Sequence, residues 1–129
     1  MTVAPGEDVQ AAVDACPPGG CVLLRPGTHA GPMKLAADKV VHVFGRGRAI
    51  LRAAVKSVLK SEAAVSTADR LIIRREVGGD IHESAVSILE GGLRLQACDI
   101  VSAVFYCVLI LSDADPVLAK CKCVGVVAA

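Results

Sequence analysis

Leu95 and Leu118 are separated by an offset of 23 along the chain, and the same offset separates Cys98 from Cys121 and Ile100 from Cys123. Leu71 and Ile73 precede Leu93 and Leu95 by 22. The segments that recur are short apolar strings divided by Gly, Pro and Asp, so the repeat unit is built from strands rather than helix pairs. One coil of a parallel β-helix needs this unit. Each coil stacks on its neighbour about 4.8 Å away, and like residues form ladders through the interior. Leucine-rich repeats share the period, but their Asn/Cys ladder and Leu spacing do not recur here. The expected strands are 21–25, 40–44, 49–51, 71–74, 85–89, 93–96, 107–111 and 117–119.

The composition agrees with a narrow laddered interior. The 129 residues include 20 Ala, 19 Val, 12 Leu, 7 Ile and 6 Cys, whereas the aromatics are only Phe44, Phe105 and Tyr106. Hydrophobic residues at 53% exclude a disordered chain. The shortage of rings argues against single-stranded nucleic-acid platforms and aromatic sugar clamps, which need surfaces to stack on. The length suits one domain over residues 1–129. A helix over 8–16 is expected, with Asp8 as its cap, Val9, Ala12, Val13 and Cys16 at helical spacing, and Pro17 and Pro18 ending it. Residues 53–65 are ambiguous. Val55, Val58, Leu59 and Glu62 fit a helix face, but Ser57, Ser61 and Ser66 suit strands and turns, and strand is the reading taken.

The net charge of +1 hides an uneven distribution. Residues 1–24 carry three acids and no base, residues 25–75 hold eleven bases against three acids, and residues 76–129 hold seven acids against three bases. Such a pattern fits a solvated coat, an anion-binding face or head-to-tail self-attraction. Residues 1–6 lack the basic and apolar parts of a secretory signal, and the apolar run 101–111 is too short to cross a bilayer. The expectation is a cytoplasmic chain with reduced thiols and no membrane contact. Cys16 and Cys21, around a Pro-Pro-Gly-Gly turn, are the pair best placed for a surface disulfide.

The stretch from Val9 to Ala15, followed by Pro17-Pro18-Gly19-Gly20 and by Val22-Leu23-Leu24-Arg25-Pro26-Gly27-Thr28, resembles the opening of pectin-lyase-like right-handed β-helix proteins. In that superfamily such a helix caps the first coil and the strand ending in Pro-Gly-Thr begins the solenoid. Val41-His42-Val43-Phe44-Gly45 looks like the next strand and turn, and Cys98-Asp99-Ile100 and Cys121-Lys122-Cys123 look like coil-closing steps. The resemblance implies an all-β fold, a right-handed parallel β-helix solenoid of about four coils over 21–123 with a short N-terminal capping helix. For function it implies little, because this fold hosts lyases, hydrolases, adhesins and non-catalytic modules.

Catalytic patterns are sparse. A glycosidase needs two carboxylates about the scissile bond, and a lyase needs a cation site and a base. The galacturonase-type signatures Asn-Thr-Asp, Gly-His-Gly and Arg-Ile-Lys do not occur. Asp113 and Asp115 fall in a turn-like Ser-Asp-Ala-Asp-Pro string, and Asp99, between core-type neighbours, should point outward. Together these three are the carbohydrate-site candidates, along one groove. His29, His42 and His82 match no metal spacing, and His29 is expected in a surface turn. Alternation puts Cys98, Cys121 and Cys123 in the core ladder rather than on a metal. No cofactor and no metal are implied. Gly45-Arg46-Gly47-Arg48 lacks the following helix of a phosphate loop, yet with Arg52, Arg74 and Arg75 it could form a basic stripe for a polyanion.

Between the last two coils, Val101, Val104, Phe105 and Tyr106 stand where a polar turn is expected. They would form an exposed apolar ridge, joined by Ile81, Val124, Val126 and Val127, and large hydrophobes there would also suit a chain engineered to self-assemble. The last coil has no capping helix after Cys123, so its strand edges invite a partner. The expectation is therefore a non-catalytic structural or interaction module that self-associates, most simply as a two-fold dimer. A carbohydrate-active enzyme or carbohydrate-binding module is the alternative, and polyanion binding by residues 25–75 a further one.

Overall fold

The computed structural model describes residues 1–63, 65–79, 83–103, 106–111 and 114–125. Strand β1 (Thr2–Val3) precedes helix α1 (Val9–Ala15). Successive sets of strands follow: β2 (Gly20–Leu24), β3 (Gly27–Ala30) and β4 (Met33–Leu35), then β5 (Val41–Gly45), β6 (Ala49–Ala53) and β7 (Leu59–Ser61). The next set is β8 (Thr67–Asp69), β9 (Ile72–Arg75) and β10 (Val86–Ile88), followed by β11 (Arg94–Gln96), β12 (Asp99–Ser102) and β13 (Val108–Ile110). The last pair is β14 (Val117–Ala119) and β15 (Lys122–Gly125). Each strand pairs in parallel with its counterparts in the adjacent coils, giving a six-stranded sheet β1-β2-β5-β8-β11-β14, a five-stranded sheet β3-β6-β9-β12-β15 and a four-stranded sheet β4-β7-β10-β13. The chain is thus an all-β parallel solenoid of about five turns. Four complete three-strand sets and the final pair make up these turns, in keeping with the solenoid expected, and β1 adds one more strand to the six-stranded sheet ahead of the helix. Residues 53–65 supply the end of β6, a loop and β7, not a helix.

Strand alternation turns every second residue inward, and register stacks those residues into rows. One row is Val22, Val43, Ala68, Leu95 and Leu118, and a second is His29, Leu51, Ile73, Ile100 and Cys123. The repeated offsets Leu95 to Leu118 and Ile100 to Cys123 in the sequence are therefore true neighbours. The shorter offset from Ile73 to Leu95 is not, because Ile73 stacks on Ile100 and Leu95 on Ala68. They lie in different sheets. The register slips in the sequence because a loop lengthens the coil that carries β8 to β10.

That loop lies at the corner from the five-stranded to the four-stranded sheet. The corner takes residues 31–32 in the first set, 54–58 in the second, 76–85 in the third and 103–107 in the fourth. Arg75 anchors the longest one. Its guanidinium is fully buried and donates to the carbonyls of Glu83 at 3.2 Å and Gly78 at 2.9 Å, and also to those of Ala54 and Glu76. Loop carbonyls that turn inward are thereby satisfied by a charged side chain. The corner leaving the six-stranded sheet is tighter. It is turned by a single left-handed residue in three successive coils, Arg70 (φ 57°), Ala97 (φ 51°) and Lys120 (φ 55°).

Helix α1 seals the first coil. Asp8 accepts from the Ala11 amide as cap, and Val9 and Val13 are buried on the core. Gln10 acts as a surrogate strand, its amide donating to the Lys34 carbonyl at 3.2 Å and its oxygen accepting from the Lys34 amide at 2.7 Å. Lys39 donates to the Asp14 carbonyl at the other end of the helix.

Two stability changes follow. Ala97→Gly relieves a left-handed L-residue and should raise the unfolding free energy by about 0.5–1 kcal/mol in denaturant titration. Arg75→Met strands several buried carbonyls and should lower it by about 2–4 kcal/mol.

Candidate functional site

Two regions concentrate exposed apolar and charged groups: the long corner and the last coil. At the corner, Val55, Val77 (75% exposed) and Tyr106 project from successive turns. Beside them, the outward row of the five-stranded sheet runs Ala30, Arg52, Arg74, Val101 and Val124. A concavity of about 500 Å³ there is lined by Arg52, Arg74, Glu76, Val77, Val101 and Ala103. Arg52 pairs with Glu76 at 3.1 Å, which ties this row to the longest loop. Val101 is half-buried and Tyr106 exposed, while Val104 and Phe105 lie outside the described residues, as do Ile81, Val126 and Val127.

The last coil exposes what every earlier coil buries. Ile110 stacks on buried Ile88, Leu118 on buried Leu95, and Cys123 on buried Ile100. Yet Ile110 is 46% exposed, Leu118 41%, and Cys123 exposed too. Their backbones keep the inward register, and among the described residues no further coil covers them.

Several expectations are corrected. His29 is not in a surface turn. It is fully buried in a ladder over Leu51, with Nε2 2.7 Å from the Arg25 carbonyl. Its Nδ1 is buried without a hydrogen-bond partner among the described residues. Arg75 leaves the proposed basic stripe because the loop carbonyls take its guanidinium inside. Cys16 faces the core at the end of α1, whereas Cys21 alternates outward on β2, and both are free thiols. Cys123 keeps its place in the ladder but not the burial expected of it, because no later coil among the described residues covers it. Asp99 is exposed at the start of β12, and Asp115 is exposed just before β14, so a strand of the six-stranded sheet separates their corners. Asp113 and His82 lie outside the described residues.

Other features were not legible beforehand. Lys34, Lys56 and Lys60 line a concavity of about 460 Å³ with Gln10 and Ser57, next to α1. Lys34 and Lys60 stand directly opposite in neighbouring strands, and Glu62, 3.8 Å from Lys34, offsets part of their repulsion. Beside them buried Ser57 donates to Glu83 at 2.9 Å and lies 2.7 Å from the Ser87 hydroxyl. No described histidine joins these groups, His42 being bonded to Thr67 at 2.9 Å. The serines and Glu83 therefore act as a polar clamp on the 76–85 loop. No signal in the sequence joins residues 26 and 30 positions apart.

Among the described residues no group of three or more His, Cys, Asp or Glu side chains is arranged to hold a metal ion. No helix among them is long and apolar enough to cross a membrane. Burial raises the Cys98 thiol to about 11, with adjacent Cys121 adding to it, and burial likewise raises Cys107. Comparison with protein families, with characterised proteins and with solved structures finds no match.

Thiol accessibility tests this geometry. In the folded protein, iodoacetamide should label Cys21 and Cys123 first, Cys107 and Cys121 more slowly, and Cys16 and Cys98 only on unfolding, as read by peptide mass mapping.

Proposed function

We propose that this chain is a non-catalytic β-solenoid module that self-associates through its last coil and the adjoining corner at Tyr106. One observation carries the reading: inward rows that are buried throughout the solenoid end in exposed Ile110, Leu118 and Cys123. A second copy suits this end because it brings the same strand spacing and the same apolar rows. At the opposite end, α1 covers the core and Gln10 occupies the edge of β4. Head-to-tail growth into a fibre is thereby opposed. Contact between two last coils gives a closed two-fold pair, with strands antiparallel across the junction. The resemblance of the opening segment to pectin-lyase-like β-helices belongs to the same proposal. On this reading the chain is a member of that fold without a reaction, which the separate corners of the outward carboxylates Asp99 and Asp115 support.

Light scattering should give the mass of a dimer, unchanged by moderate salt. Leu118→Asp should return it to a monomer with at least a tenfold weaker association, a loss of about 1.4 kcal/mol or more, and Tyr106→Ser should weaken it less. A monomer at high micromolar concentration overturns the reading.

A second reading has its own observation, the three lysines around one concavity. Binding of an acidic ligand there would involve the basic 25–75 segment and weaken steeply with salt. Lys56→Glu together with Lys60→Glu should abolish retention on a heparin column if that site is used, and leave the dimer intact.

A further inference from the structure

The six cysteines are free thiols, and they are not evenly placed. Cys98 and Cys121 are stacked at one corner, with Sγ atoms 3.4 Å from the Ala68 and Leu95 carbonyls respectively. Cys107 and Cys123 meet at the open end. Cys107 Sγ lies 3.7 Å from the Ile100 carbonyl, and Cys123 is the residue stacked directly on Ile100 in the next coil. Both cysteines thus adjoin Ile100, and the Cys123 side chain acts on the Cys107 thiol. Cys107 is half-buried before β13, and Cys123 is exposed on β15. No third ligand joins them into a metal cluster among the described residues.

We infer that Cys107 and Cys123 are a modification site: a dithiol that low-molecular-weight disulfides oxidise to an intrachain disulfide, stapling the last coil. The chemistry is thiol–disulfide exchange in two steps. The exposed Cys123 thiolate attacks one sulfur of the disulfide RSSR, forming Cys123–S–S–R and releasing RS⁻. Cys107 thiolate then attacks Cys123 Sγ, displacing the second RS⁻ and closing the protein disulfide. The two protons lost by the thiols go to the two RS⁻ groups, so RSSR is reduced to two RSH. Cys107 is the resolving thiol because burial and the neighbouring Cys123 charge both favour its protonated form. The crosslink joins the corner before β13 to β15, across a coil that has a neighbour on one side among the described residues. Both sulfurs belong to one chain, and because the dimer proposed above would cover Cys123, the exchange is run on dilute, dissociated chain.

The test uses the full chain, reduced, then equilibrated with glutathione disulfide, alkylated and digested with trypsin. Cleavage after Arg94, Lys120 and Lys122 separates Cys121 from Cys123. The expected product joins peptide 95–120 to peptide 123–129 within a monomer, with two hydrogens lost, and fragmentation places the link on Cys107 rather than Cys98. Hydrogen exchange in β13–β15 should slow severalfold on oxidation. Cys107→Ser should trap a glutathione adduct on Cys123, Cys123→Ser should give neither adduct nor crosslink at this end, and Cys121→Ser should leave closure intact. A wild-type chain that stops at the Cys123 adduct overturns the inference. So does a link between two chains, or one through Cys98 or Cys121.

Discussion

Parallel backbone pairing between successive coils sets everything else in this molecule. Each strand offers its neighbour a row of amides and carbonyls, and the next coil is held in register as long as it returns to that row. Register then decides which side chains meet. Val22, Val43, Ala68 and Leu95 share a column because their backbones pair, not because they are evenly spaced along the chain. Coils of unequal length still give continuous columns, and the surplus goes to the corners.

The two ends of such a stack are not equivalent. At the first coil, Gln10 substitutes a side-chain amide for a missing strand, and Val9 and Val13 lie on the core. At the last coil the columns run out into solvent at Ile110, Leu118 and Cys123. The same property, inward register, is a source of stability in the middle of the solenoid and leaves apolar side chains exposed on the last described coil. The sequence already pointed to the sealed first coil through the helix-like 8–16 segment.

Legibility followed the same physics. The fold class could be read because identical offsets at Leu95/Leu118, Cys98/Cys121 and Ile100/Cys123 report adjacent coils with equal corners. The similar offset from Ile73 to Leu95 misled because the long corner at 76–85 intervenes, and near-equality of spacing is not register. Strands β8 and β12 were hard to see because the turns beside them use Arg70, Ala97 and Lys120, residues that carry no turn signal despite their left-handed backbone. His29 reads as a surface turn residue from its place after Pro-Gly-Thr and Arg75 as part of a basic stripe, whereas local carbonyls hold both inside. The lysine concavity and the Ser57–Glu83–Ser87 clamp join residues from separate coils, contacts that exist only once the winding is known. The paired thiols at Cys107 and Cys123 belong to the same class.

The corner between the five-stranded and four-stranded sheets grows from the short 31–32 link to the long 76–85 loop while the strands on either side of it remain paired. Strand register is thus independent of corner length. Length and chemistry can change at that one edge without disturbing the columns, since each coil is anchored by its neighbours rather than by its loops. In a scaffold of this kind, specificity can be written along a single seam of the cylinder, as a vertical series of loops read side by side, while the remaining wall stays constant.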